Sequence, residues 1–130
     1  AFATASGMAA VNGALFSLLK AGDHMVSARA LFGSCLYIAE TLLPAFGVDV
    51  TFVDGTDLEA WQGAIRPNTK VLFLEAMSNP TLEIIDIAGV PKFPAPPGQH
   101  WWLITYLPHL CCNAASIWVP MSWSIRPQST

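Results

Sequence analysis

Between Gly22 and Glu75 the chain carries three short, mostly apolar runs, His24–Ala28, Val48–Val53 and Lys70–Leu74, and a helical pattern precedes each of them. Strands separated by stretches of this length are not joined as tight hairpins. They call for crossovers, and so for parallel βαβ units with right-handed connections. Ser6 is suited to cap the first helix, Met8, Val11, Leu15, Leu18 and Leu19 recur at helical spacing, and Gly22 closes it. Leu36, Ala39, Leu42, Leu43 and Phe46 trace a second stripe that stops at Gly47. Asp57 caps a third, short helix with Leu58, Trp61 and Ile65 inward. The VLFL of the third run has the unbroken apolarity of a strand covered on both faces. The expected fold class is α/β, with a parallel sheet.

That rhythm ends near Val90. All nine acidic residues lie between Asp23 and Asp86, and residues 91–130 contain none. The same tail holds four of the five tryptophans and seven of the ten prolines, but of the glycines only Gly98. Up to Val90, four basic residues against nine acids leave a charge of −5; beyond it Lys92 and Arg126 give +2. Four prolines within 91–97 remove backbone donors and fix φ, so that stretch is neither helix nor central strand. The expected organisation is one partial domain over 1–90 and a tail over 91–130 that is irregular and does not continue it.

Three segments of the first ninety residues carry chemical meaning. Ser6-Gly7-Met8 opens a helix, where free N–H groups and the helix dipole receive a phosphate, although an ordinary capped core helix looks the same. Leu31-Phe32-Gly33-Ser34 places an aromatic at another helix start, either to cover a planar ligand or to anchor the core. Glu75-Ala76-Met77-Ser78-Asn79-Pro80 follows the third strand directly, at the edge where α/β ligands sit. Asn79, held extended by Pro80, either aims its amide at a ligand or simply punctuates a turn.

In this order and spacing, SGMAA, LFGS and EAMSNP resemble the enzymes of Cys/Met metabolism that depend on pyridoxal 5′-phosphate (PLP). The resemblance covers residues 1–90 and is nearest to the O-succinylhomoserine sulfhydrylase branch, which commonly has Phe at the position of Phe32. It implies the large domain of the aspartate-aminotransferase-like fold. It also implies γ-replacement on O-succinylhomoserine or a related activated homoserine, with sulfide or cysteine as nucleophile, in a cytoplasmic homotetramer. Under it, Ser6, Gly7 and Met8 hold the cofactor phosphate and Phe32 stacks on its ring. Glu75 and Asn79 are the acid and the amide of the family's E-x-x-x-N-P motif, the Asn approaching the ring hydroxyl. Met77 stands where the family usually has proline.

Past Val90 the family continues into a strand ending V-V-D-N and later S-A-T-K, whose Asp pairs with the pyridine nitrogen and whose Lys is the Schiff-base residue. Neither motif is present in the tail, so no catalytic residue is assigned and the chain as written is expected to be inactive. A change of frame recovers both. Val90-Pro91-Lys92-Phe93, encoded GTG CCG AAA TTT, reads V-A-E-I after one added G. His100–Thr105 then reads L-V-V-D-N, and Trp118–Thr130 yields a run ending Y-S-A-T-K-H. The tail is therefore read as out-of-frame translation.

Other function classes are disfavoured. A formal charge of −3 gives no reason to expect a nucleic-acid partner. Ala1–Ala10 lacks a basic leader. Cys35, Cys111 and Cys112 make no disulfide framework. His100, His109, Cys111 and Cys112 fit no common zinc spacing, so no metal is expected. The competing reading is a non-enzymatic binding module tethered to a membrane by the apolar stretch Trp101–Trp123, whose hydropathy resembles a span of about 20 residues. Pro108 and Pro120 count against it.

Overall fold

The protein was analysed as a computed structural model that describes residues 4–78, 81–87 and 89–90, together with the backbone of two strands further on, 102–107 and 116–118. The elements follow the sequence pattern closely. Helix α1 (Gly7–Leu18) leads to strand β1 (His24–Ala28), helix α2 (Gly33–Tyr37) continues through a π turn (Ile38–Leu42) into α3 (Leu43–Ala45), and β2 (Asp49–Val53) follows. Helix α4 (Leu58–Ala64) and strand β3 (Thr69–Glu75) complete the first part, and β4 (Trp102–Leu107) and β5 (Ser116–Trp118) the second.

The sheet order is β2-β1-β3-β4-β5. β1 pairs in parallel with β2 and with β3, β3 with β4 in parallel, and β4 with β5 antiparallel. All five residues of β1 are buried, whereas β2 at the edge is partly exposed, as its place in the order requires. The chain leaves β1 to one side for β2 and returns across it for β3. This makes the C-terminal ends of β1 and β3 the point where strand order reverses, the place where open α/β sheets bind ligands.

The core is built from Val11 and Leu15 of α1, Ile38, Ala39 and Leu43 of the second helix, and Val71–Leu74 of β3, with Trp61 from α4 fully buried. The Trp61 indole N–H donates to the Gly55 carbonyl at 3.1 Å, so the ring buries its area without stranding its polar atom. The π turn is the one departure from a regular second helix. Leu43 N–H bonds back to the Ile38 carbonyl, five residues away, just ahead of Pro44. Proline lacks the N–H that an α-turn would use and its ring crowds the preceding turn, which the wider π turn accommodates. Gly22 and Gly47 adopt positive φ of 89° and 78°, and Gly22 N–H donates to the Gly47 carbonyl at 2.8 Å, tying together the entries to β1 and β2.

The tail departs from its expected irregularity. Trp102–Leu107 pairs along β3, from Val71 opposite Trp102 to Glu75 opposite Tyr106. Strands therefore occupy two parts of the stretch that hydropathy offers as a single membrane anchor, and no helix among the described residues is long and apolar enough to cross a membrane. The physical reason is the open hydrogen-bonding edge of β3, which an apolar extended segment satisfies. His100, His109, Cys111 and Cys112 lie outside the described residues.

His24 ties three strands together. Its ring is fully buried, with Nδ1 2.7 Å from Thr69 Oγ1 and Nε2 2.9 Å from Thr51 Oγ1. Those hydroxyls also accept from Arg66, from its backbone N–H at 2.7 Å and its Nη2 at 3.1 Å respectively. Burial, and then the Arg66 charge, push the imidazole pKa below 6.5, while Asp49 opposes the shift weakly. The unfolded chain then takes up the proton more readily than the folded one. Stability is expected to be whole above pH 6.5 and to fall as the pH drops below it, down to the folded pKa. Urea midpoints measured between pH 8 and pH 5 check this, and His24→Gln, which cannot titrate, should flatten that part of the profile. Trp61→Ala should cost about 3–5 kcal/mol by the same unfolding measurement, from lost burial and a cavity.

Candidate functional site

The site is assembled at the C-terminal edge of the sheet. Helix α1 precedes β1 and packs back against β3 and α2, so its N-terminus lies over the edge at which β1 and β3 end. Ser6 is extended (φ −157°, ψ 161°) and its hydroxyl accepts from Ala9 N–H at 3.1 Å, the N-cap that the sequence pattern requires. The following N–H groups, of Gly7 and Met8, have no acceptor among the described residues. Both residues are half-buried, and Met8 packs against the core. The result is a capped helix start whose first two N–H groups find no acceptor among the described residues.

Phe32 is the residue ahead of α2. Its backbone is extended and its side chain leaves the core, 43% exposed. It has no capping side chain of its own. Its N–H donates instead to Glu75 Oε1 at 2.8 Å, across 43 residues of sequence. Glu75 ends β3 and is fully buried, so a carboxylate inside the protein holds the backbone of the turn while the aromatic ring stays at the surface. Sequence reading expects both residues at this edge but not the bond that joins them.

After Glu75 the chain makes a tight loop closed between Ser78 and Glu83. Ser78 N–H donates to the Glu83 carbonyl at 3.0 Å, Leu82 N–H to the Ser78 carbonyl at 2.9 Å, and Glu83 N–H to Ser78 Oγ at 2.9 Å. Met77 and Ile84 form an antiparallel bridge below it. Leu82 takes a left-handed conformation, φ 56°, to close the loop. Met77, standing where proline is usual in the resemblance, thus sits in a well-bonded frame. Asn79 itself lies outside the described residues. Ser78 is fully enclosed. Its structural part goes beyond the turn punctuation that the Asn-Pro dipeptide signals.

A cleft of about 280 Å³ opens at the same edge, lined by Arg29, Ala30, Asp54, Gly55, Thr81 and Glu83. Hydrogen bonds from the Thr56 hydroxyl, at 2.7 Å, and from its N–H, at 2.9 Å, hold the Asp54 carboxyl below its usual range, with help from the Arg29 charge. Of the expected site residues the structure brings Phe32 and Glu75 into direct contact and places Ser6, Gly7 and Met8 at the start of a helix packed on α2.

A planar, phosphorylated cofactor fits these groups. Helix-start N–H donors with no acceptor among the described residues suit a phosphate, and an exposed aromatic on a turn held by Glu75 suits a ring. The profile of the Cys/Met metabolism PLP-dependent enzymes matches residues 1–96. The O-succinylhomoserine sulfhydrylase of Mycobacterium tuberculosis is 52% identical over 90 residues, which are 69% of this chain and 22% of that protein. The L-methionine gamma-lyase of Fusobacterium nucleatum is 41% identical over 92 residues, 71% of this chain and 23% of that protein. A solved structure of the O-acetylhomoserine sulfhydrylase of Wolinella succinogenes superposes with a TM-score of 0.65 at 43% identity, covering 68% of this chain and 26% of the other. The chain thus spans about a quarter or less of the length of the relatives it matches.

The helix start is open to a direct check. Ser6→Ala should lower stability by about 1 kcal/mol and Ser6→Gly by only a few tenths, read from thermal unfolding followed by far-UV circular dichroism. A cap at Ser6, a turn at Phe32 clamped by Glu75, and a profile match across 1–96 agree in one order along one sheet edge, and the chain belongs to the Cys/Met metabolism PLP-dependent enzyme family.

Proposed function

We propose that residues 1–90 form one wall of the PLP site of a sulfhydrylase that performs γ-replacement on O-succinylhomoserine or a related activated homoserine. The observation that carries the reading is the bond from Phe32 N–H to the buried Glu75 side chain, because it holds an exposed aromatic at the C-terminal end of β3. PLP, when bound, supplies the electron sink that lets an amino acid lose a proton from Cα. The residues of this chain bind and orient. The N–H groups of Gly7 and Met8, with the capped turn at Ser6, receive the phosphate. Phe32 covers one face of the ring and excludes water from it. Glu75 holds the Phe32 turn in place, and Asn79 offers its amide to the ring hydroxyl. The 52% identity to a named O-succinylhomoserine sulfhydrylase supports that substrate over other activated homoserines. A cytoplasmic homotetramer is the assembly proposed for the whole protein.

The same reading makes this polypeptide inactive as written. Residues 91–130 contain no carboxylate, and the lysines of the whole chain are Lys20, Lys70 and Lys92. Strand β4 takes the next parallel place beside β3, where the family's V-V-D-N strand is expected, yet Trp102–Leu107 contains no acidic residue. An out-of-frame tail accounts for both. Resequencing the gene around the Val90 codon should reveal a one-base slip; a gene that encodes V-V-D-N and S-A-T-K in no frame would sink the idea. Given O-succinylhomoserine, sulfide and PLP, the chain should release no succinate, and the full-length product of the frame-restored gene should release it catalytically. Succinate release by the present chain would overturn the inactivity.

A further inference from the structure

Ser78, three residues past the end of β3, is only 1% exposed and turns its polar groups toward the loop that follows. Its N–H donates to the Glu83 carbonyl at 3.0 Å, and its carbonyl accepts from Leu82 N–H at 2.9 Å. Its Oγ accepts from Glu83 N–H at 2.9 Å and pairs with Thr81 Oγ1 at 2.5 Å. Three successive residues, Thr81, Leu82 and Glu83, are thus bonded to one. The middle one, Leu82, has φ 56°, a conformation that a residue with a Cβ keeps only where its surroundings over-determine it. Its side chain is 67% exposed, so burial does little to hold it there. The hydroxyl bonds to the residues on either side do. Thr81 and Glu83 also line the cleft with Arg29 and Asp54, so the same bonds fix part of its wall.

We propose that the Ser78 hydroxyl is the positioning group of this loop: by bonding Thr81 and Glu83 it keeps Leu82 left-handed and sets the part of the cleft wall that Thr81 and Glu83 form. A hydroxyl accepts a backbone N–H and bonds a second hydroxyl at the same time. Alanine at position 78 leaves the Glu83 N–H without its acceptor, whereas threonine keeps the oxygen. The consequence for cofactor binding rests on the reading that Asn79, the next residue in sequence, offers its amide to PLP; the loop itself does not.

The experiment is amide hydrogen exchange by NMR on the 130-residue chain, comparing wild type, Ser78→Ala and Ser78→Thr. In Ser78→Ala the Glu83 and Leu82 amides should both exchange roughly tenfold faster relative to the Met25 and Val26 amides of β1, and Ser78→Thr should slow them again. The Leu82 amide is the decisive one, because its own acceptor is a backbone carbonyl that the substitution leaves in place. An unchanged Leu82 amide, or equal acceleration of Met25 and Val26, would overturn the proposal. Should Ser78→Ala fail to fold, Thr81→Val removes the exposed partner hydroxyl; it should speed the Leu82 amide several-fold, and no change there would overturn the proposal equally. In parallel, PLP titration followed by absorbance compares Ser78→Ala, Asn79→Ala and the double variant. If Ser78 acts through Asn79, each single variant should bind several-fold more weakly, and the double variant no more weakly than Asn79→Ala; multiplied losses would overturn that route. If wild type binds no PLP, or Asn79→Ala binds it as wild type does, the cofactor reading of Asn79 fails, and the exchange data still decide the loop.

Discussion

The parallel pairing of β1 with strands on both sides governs the rest of the molecule. A parallel strand cannot be reached by a hairpin, so each neighbour of β1 is delivered by a helix, and those helices cover the sheet. The order β2-β1-β3 then has one reversal, between β1 and β3, and the segments leaving those strands diverge there. Phe32 follows β1 and Glu75 ends β3. The site is therefore a consequence of strand order before it is a matter of side chains.

A buried carboxylate at that reversal converts the opening into a defined surface. Glu75 sits inside the protein and holds the backbone ahead of α2, which frees the Phe32 ring from any role in the core. The opposite edge of the sheet is secured differently. There the neutral His24 ring bridges threonines on β2 and β3, with Arg66 bonded to both hydroxyls. One edge uses a buried carboxyl group that accepts a backbone N–H and the other an imidazole kept uncharged by burial. Both join strands that are distant in sequence.

Much of the first ninety residues was legible because its signals are local. Ser6 and Asp57 do accept from the first turns of their helices, as side-chain oxygens at those positions must to satisfy free N–H groups. The three apolar runs became β1, β2 and β3 within a residue or so of their expected bounds. The π turn ahead of Pro44 was not legible, since a helical stripe tolerates one extra residue without losing its apolar face. The tail misled for a related reason. Mean hydropathy does not distinguish a membrane helix from an apolar strand on an open sheet edge, and the edge of β3 decided it.

The sequence by itself determined the helix and strand order, the caps, and the identity of the residues at the sheet edge, because each depends on neighbours a few positions away. It also marked Val90 as the place where composition changes, since charge and proline content are read without a fold. Only the tertiary structure decided that Glu75 would meet the Phe32 backbone, that His24 would be enclosed by Thr51 and Thr69, and that Trp102–Leu107 would extend the sheet. Those contacts join residues separated by tens of positions. They exist because parallel pairing brings strand ends together and leaves polar groups there that must be satisfied away from water.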